Sequence, residues 1–332
     1  CVIGMSDERW LKELNIKDCT LDNLNMQTKV SNLGGIVSGG YGILSLNIDN
    51  CIVKNSEFLA ETPNDTDVAG GIVGVFNGSN DITVKGCQFL NSTIEGSGGN
   101  TAGILGYAFA NSNIEDCIVK DSQIISVRES QVGDCSTTGG VIGGMQKGQV
   151  INCDIMNSTI NGRGTNIAGI VGVNTGNQTI EDCDVIDCII TDEDMTTLYY
   201  SMARGGITGT ILGEGIYKNC TVKNTDMNVR ASSIGGIAGS NGNKTSIEEC
   251  IVDNVNIYAG KHATELTNNS SDISDTVAGI IGTISCYDKN INNSINTCTV
   301  KNTNIESVTD NIGGIIGNGG YSKYSDSQEF EW

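Results

Sequence analysis

Apolar and polar positions along this chain fall into two alternating patterns. One is centred on cysteine, at Cys19, Cys51, Cys87, Cys117, Cys153, Cys183, Cys220, Cys250 and Cys298. An apolar residue stands three before each, from Ile16 and Ile48 through Tyr217 and Ile247 to Ile295. Another stands two after it (Leu21, Val53, Phe89, on to Val300), and a third seven after it (Met26, Phe58, Ile94, on to Ile305). Four after the cysteine only Asn or Asp occurs: Asn23, Asn55, Asn91, Asp121, Asn157, Asp187, Asn224, Asn254 and Asn302. The other pattern is a glycine motif, as in Gly34-Gly35-Ile36-Val37-Ser38, Gly70-Gly71-Ile72-Val73-Gly74, Ala168-Gly169-Ile170-Val171-Gly172 and Gly313-Gly314-Ile315-Ile316-Gly317. Nine copies of each alternate strictly along the chain.

The cysteine and the residue two beyond it share a parity, as the inward face of a short strand requires. The apolar positions three before and seven after break that parity, so a bend lies on each side. Asn and Asp suit the second bend, because they tolerate left-handed backbone and bond neighbouring backbone groups. Glycine at the other anchor allows a tight turn or close backbone approach. Each repeat therefore reads as three short strands joined by bends. Such a unit cannot bury its inward side chains alone. Stacking successive coils solves this, giving an all-β, right-handed parallel β-helix, or β-solenoid, of about nine to ten coils rising ~4.8 Å each. The cysteine and Asn/Asp positions become ladders along it. Segments 195–204 and 262–268 are the places where a helical turn could fit.

The connection from the third apolar position to the next glycine motif alternates in length. It runs 8, 12, 8, 15, 8, 15, 8, 21 and 8 residues. Longer loops therefore leave alternate coils, near 60–69, 126–138, 191–204 and 259–277, and project from one edge as a comb. Insertions of this kind are often where solenoids bind partners; bulges on alternate coils also simply avoid collision. Asp65, Asp67, Asp192 and Asp194, with Glu193, Asp272 and Asp275, are acidic loop residues. Their oxygens make the first four candidate Ca²⁺ ligands, against the competing reading of a solvated acidic surface. No other cofactor is expected.

Charge narrows the partners. The chain carries a net charge of −20 with 17% charged residues and no basic stripe, so nucleic acid is not an expected partner. No apolar run approaches the ~20 residues of a membrane span. Two residues before each cysteine stand Lys17, Asp49, Lys85, Glu115, Ile151, Glu181, Lys218, Glu248 and Asn296, whose signs alternate over much of the column, as stacked rungs would favour.

The cysteine row has a structural and a chemical reading. In-register neighbours ~4.8 Å apart exceed the ~3.5–4.5 Å between Cβ atoms of a disulfide, and no CxxC spacing suggests zinc. Small buried thiols remain, with Cys1, Cys135, Cys188 and Cys286 outside the register. Catalysis would need a place where the repeat breaks. The carboxylate pairs Glu115-Asp116, Glu181-Asp182 and Glu248-Glu249 recur with the coils, and Arg163, Arg204 and Arg230 stand on different ones. The single histidine, His262, lies in the longest loop beside Glu265. No catalytic residue is assigned.

The Gly-Gly-Ile-Val-Gly type motif, from about Gly34 to Gly317, resembles the GLUG motif of repeats in bacterial surface and secreted proteins. It differs in using Ile where Leu is common and in its regular cysteine column. The resemblance implies surface display and a repeat scaffold, found in stalk regions beside peptidase or adhesin modules, and brings no catalytic residues. Residues 1–332 are thus expected to form one solenoid domain of a longer extracellular or cell-surface protein, with partial coils at 1–15 and 318–332. A non-enzymatic stalk or adhesion role follows, with a host or cell-surface protein or glycan as partner. Self-association through open coil ends is a further expectation. The alternative is a carbohydrate-active β-helix: a polysaccharide lyase, glycoside hydrolase or tailspike-like depolymerase.

Overall fold

The computed structural model describes residues 11–29, 32–61, 68–97, 99–127, 136–192, 202–260, 276–286, 291–307 and 311–321. Every regular element among them is a strand, and every strand pairing is parallel. The strands form one 16-stranded sheet and three 9-stranded sheets, each joining a strand to its counterpart one coil away. The chain is a parallel β-solenoid.

Each coil contributes to four sheets, where the sequence suggested three strands. In the second coil, Val68–Gly70 enters the glycine sheet, Val73–Asn77 and Ile82–Lys85 the long sheet, Gln88–Leu90 the cysteine sheet and Thr93–Gly96 the exit sheet. The corner that sequence reading missed lies inside the glycine motif, at Gly71-Ile72. It carries no polar residue to mark it, because Ile72 is fully buried and the backbone ladder runs on through the turn, Gly71 N donating to Ala102 O at 3.0 Å and Ile72 N to Ile104 O at 3.1 Å. Glycine is required here by proximity. A Cβ on Gly71 would strike the Gly103 carbonyl and the Phe89 ring, and at Gly169 the same atom would meet the Val185 methyls. From Val53 to Val300, the apolar residue two after the cysteine packs directly on the second glycine of the motif.

The two other corners are alike. In each, a residue with φ near +50° is followed by a small inward side chain. Asn50 (φ 52°) and Asp116 (φ 54°) precede Cys51 and Cys117, whereas Asn55 (φ 52°) and Asp121 (φ 53°) precede Ser56 and Ser122. Left-handed backbone costs Asn and Asp least, which explains the Asn/Asp column and a second one just before the cysteines. Glu249 (φ 56°) and Thr297 (φ 52°) occupy that second column without this advantage. The amides also bridge coils: Asn152 donates from Nδ2 to Asp116 Oδ1 at 2.7 Å, Asn157 to Asp121 at 2.6 Å and Asn219 to Asp182 at 2.6 Å.

Cys51, Cys87, Cys117, Cys153, Cys183, Cys220 and Cys250 are fully buried free thiols, while Cys19 and Cys298, in the terminal coils, are half-buried. Cys188, which falls outside the sequence register, is also inward, in the serine column of the next corner. Cys1 and Cys135 lie outside the described residues, as does the side chain of Cys286. Outward charges pair from coil to coil as the alternating column suggested: Lys17–Asp49 at 2.8 Å, Lys85–Glu115 at 2.9 Å and Lys218–Glu181 at 2.9 Å.

The longer loops all leave the exit sheet and return to the glycine sheet at one corner. They follow Glu57–Ala60, Gln123–Ser126, Ile189–Thr191 and Asn256–Ala259, and precede Val68–Gly70, Thr137–Gly139, Ala203–Gly205 and Thr276–Ala278. Of segment 195–204, Met202 is buried and Ala203 and Arg204 belong to a strand; 195–201, with 262–268, lie outside the described residues.

Candidate functional site

The regular stacking breaks on the outer face of the long sheet. In most coils this sheet receives two short strands separated by a turn, as at 78–81 and 175–177. Two adjacent coils run through instead, as Leu105–Glu115 and Ile142–Ile151. Their register shifts between Ala108 and Asn111: Ala108 faces Met145 and Asn111 faces Lys147, so Phe109 and Ala110 together oppose Gln146. This is a β-bulge, a device that re-aims side chains and recurs beside functional sites. Gly148 lets the straight coil pass, at φ 141° and so close to Ser112 that a Cβ would strike its backbone.

Two straight coils between turn-bearing neighbours leave an open groove of ≈ 550 Å³. It is lined by Asp81 and Thr83, Asn111 and Asn113, Lys147, Gly148 and Gln149, then Asn177 and Thr179, from four successive coils. Along Leu105–Glu115 the outward row is Tyr107, Phe109, Asn111, Asn113 and Glu115, with Ala108, Ala110, Ser112 and Ile114 facing in. Part of the groove is fixed by its own hydrogen bonds. Gln149 donates to Asn113, Asn113 donates to Glu115 Oε1 at 2.9 Å, and Lys85 donates to Glu115 Oε2 at 2.9 Å. The Lys85 ammonium holds the Glu115 carboxyl below the usual carboxylate range. Asn177 accepts from Glu214 N at 3.0 Å.

The remaining polar side chains are unengaged. Among the described residues, the Asp81 carboxylate, the Lys147 ammonium, the Asn111 amide and the Thr83 and Thr179 hydroxyls have no hydrogen-bond or ion-pair partner. Elsewhere on the long sheet Lys17, Lys85 and Lys218 are each paired, as is Lys244 in the turn before Thr245–Glu248, whereas, among the described residues, Lys12 in the first coil is not. At one end of the row Phe109 is 45% exposed, its ring centroid 4.6 Å from that of Tyr107 at an interplanar angle of 59°. Gly144 makes room for Tyr107, since a Cβ there would lie 2.7 Å from its ring and 3.0 Å from Val173 Cγ1.

Comparison with protein-family models, with curated proteins and with solved structures finds no match to this chain. The site is therefore read from its own geometry.

A second open groove, of ≈ 580 Å³, follows the corner of Asn23, Asn55, Asn91 and Asp121. Its side chains mostly hold one another, with Asn91 donating to Asn55 Oδ1 at 2.8 Å and Asn55 to Asp22 Oδ1 at 2.7 Å. The structural ladder of Asn23, Asn55, Asn91, Asn157, Asn224, Asn254 and Asn302 thus lies along a corner, and the cysteine ladder lies inside.

Of the four Ca²⁺ candidates, Asp192 is placed in a different role. It is buried at the base of a longer loop, its Oδ2 3.3 Å from Arg204 Nε and 2.9 Å from Arg230 N, with Arg230 Nε 3.5 Å from Oδ1. Its carboxylate neutralises arginines, which takes up the oxygens a cation would need. Arg204 is fully buried, standing in the inward column of the glycine sheet between Ile167 and Ile234, and also donates to Thr165 O at 2.8 Å and Gly164 O at 3.1 Å. Arg204 and Arg230, which sequence reading left scattered on separate coils, meet at this one aspartate. Asp65, Asp67 and Asp194, with Glu193, His262, Glu265, Asp272 and Asp275, lie outside the described residues.

Sequence reasoning missed the groove, although one signal was available. The interval from glycine motif to cysteine is 17, 17, 15, 14, 15, 15, 15 and 20 residues from Gly34 to Cys298, shortest for the straight coil of Ile142–Ile151, although that of Leu105–Glu115 shares its 15 with turn-bearing coils.

Proposed function

We propose that this chain is a non-enzymatic repeat domain of a surface-displayed or secreted protein, a stalk that carries an adhesive face. One observation carries the reading: outward charges pair from coil to coil along the solenoid, and the groove on the long sheet is where polar side chains stand unengaged together. A rigid stack positions such a face without folding any new element on binding. The resemblance of the glycine motif to GLUG repeats supports the same setting, and a net charge of −20 favours solubility as an exposed element. The groove lining carries one carboxylate, Asp81, whereas two-carboxylate glycoside hydrolysis uses a pair roughly 5–10 Å apart.

Beads coated with the folded chain, washed under flow over immobilised mucin, extracellular matrix and bacterial biofilm, test this. Retention on at least one surface above that of beads carrying the denatured chain is expected. Equal retention overturns the reading.

One observation favours a carbohydrate-active enzyme as the second reading. Asp154 and Asp184 stack on adjacent coils of the cysteine sheet, Asp184 N donating to Asp154 Oδ1 at 3.1 Å, and burial pushes the Asp154 carboxyl up. A carboxyl raised by burial beside a second one can serve as the acid of a catalytic pair. Release of reducing ends or unsaturated uronates from polysaccharides, abolished in Asp154→Asn, would establish it.

A further inference from the structure

The chemistry of the groove on the long sheet is mixed in a way that selects among ligand classes. A peptide adding a strand needs an open sheet edge, and this groove lies in mid-sheet with its backbone already paired to coils on both sides. A metal ion calls for several anionic oxygens, and the lining has one carboxylate. A purely apolar ligand would leave Asp81, Lys147, Asn111, Thr83 and Thr179 desolvated without partners, at a cost in affinity. What uses all of these groups is a ligand dense in hydroxyls, each able to donate and accept, with an apolar face of C–H bonds for an aromatic ring. Carboxamides, hydroxyls, one carboxylate and one ammonium supply both hydrogen-bond senses. Phe109 and Tyr107 supply an amphipathic aromatic surface on the same outward row.

We propose that this groove binds a carbohydrate chain. One sugar ring stacks its C–H face on the exposed ring of Phe109, which Tyr107 buttresses and the bulge at Phe109-Ala110 turns outward. The next ring places its hydroxyls against Asn111, Lys147 and Asp81. The step from Phe109 to Asn111 follows the strand, and the groove continues from Asn111 across neighbouring coils. Gly144 and Gly148 are positioning residues: the first leaves space for the Tyr107 ring, the second keeps the floor low. This inference deepens the binding-scaffold reading and rests on it.

The test uses the folded chain, fluorescently labelled, on an array of immobilised microbial and animal oligosaccharides, with bound structures then titrated in solution by calorimetry. Phe109→Ala and Asn111→Ala are compared with Ile189→Ala, an exposed apolar position on the exit sheet. Thermal melts confirm that each variant is folded. At least one oligosaccharide class should bind, roughly tenfold more weakly with Phe109→Ala and with Asn111→Ala, and within about twofold of the parent with Ile189→Ala. Lys147→Ala should weaken glycans bearing a carboxylate more than neutral ones. A blank array, or binding untouched by both groove substitutions, overturns the proposal. If the array is blank while coated beads still adhere, the glycan inference fails and the adhesive reading stands; if neither occurs, both fail.

Discussion

Cys188 occupies in its corner the place that Ser158 holds one coil earlier. Cys188 Sγ lies 3.2 Å from the carbonyl of Ile186, two residues back, as Ser158 Oγ lies 2.7 Å from that of Met156. The same bond recurs at the other corner, where Cys183 Sγ lies 3.3 Å from Glu181 O. Both corners are therefore built alike: a left-handed residue turns the chain, and the next side chain folds inward to satisfy the carbonyl that the turn exposes. Accepting bonds from neighbouring coils complete the device, Ser56 N donating to Ser92 Oγ at 3.0 Å and Cys51 N to Cys87 Sγ at 3.4 Å.

Buried thiols make stability sensitive to alkali. Burial pushes Cys188 up to about 11 and raises Cys153 above its ordinary range. An unfolded thiol ionises from about pH 8.5, so the contribution of Cys188 and Cys153 to stability should be flat below that point. Above it stability should fall, because the unfolded chain gives up protons that the folded chain keeps. The slope is at most about 1.4 kcal/mol per pH unit for each such thiol. Urea midpoints between pH 7.5 and 10.5 check this, with Cys188→Ser expected to show a shallower decline. A midpoint that holds or rises through that range contradicts it.

Val185 and Ile189 stand in one coil on opposite faces, the first fully buried on Gly169 and the second 47% exposed. Val185→Asp places an unpaired carboxylate in the core and should cost about 4 kcal/mol. Ile189→Asp should cost less than about 0.5 kcal/mol. Equal melting temperatures would refute the inward assignment. Thr191, at the start of a longer loop, ends an exit-sheet strand and is buried.

Asp192 holds two arginines, one of them fully buried. Asp192→Ala removes the carboxylate that both arginines share and should destabilise by about 3–5 kcal/mol, read as the shift in a denaturant midpoint. A loss below about 1 kcal/mol would mean that the ion cluster does not tie the base of its loop.

Thr297 turns a corner at φ 52°, a conformation costly for a β-branched residue. Thr297→Asn should raise stability by about 0.5–1 kcal/mol, with a higher melting temperature as the readout. A lower one would show that the threonine side chain serves this exposed corner in another way.

Much of the fold was legible because burial and backbone geometry each leave a residue-type signature at fixed spacing. The cysteine row, the apolar residue two beyond it and the Asn/Asp bend could be read directly, since only small, apolar or left-handed-tolerant residues fit those places. The fourth sheet was hidden because Gly71-Ile72 turns within the core, where neither a polar residue nor a positive φ marks the bend. Arg204 was unreadable as a core residue: its partner Asp192 precedes it by twelve positions across a loop, and Arg230 comes from the next coil. The groove at Asn111 and Lys147 arises from lost turns and a bulge, differences of one or two residues against a repeat whose spacing already varies.

Isotope-coded alkylation of thiols, resolved by peptide mass spectrometry in the native and denatured chain, tests the stacking most directly. Cys51, Cys87, Cys117, Cys153, Cys183, Cys220 and Cys250 should react at least about a hundredfold more slowly in the native state, with Cys19 and Cys298 between the two limits. Native reaction of those seven at the denatured rate would contradict the solenoid core and every inference built on it.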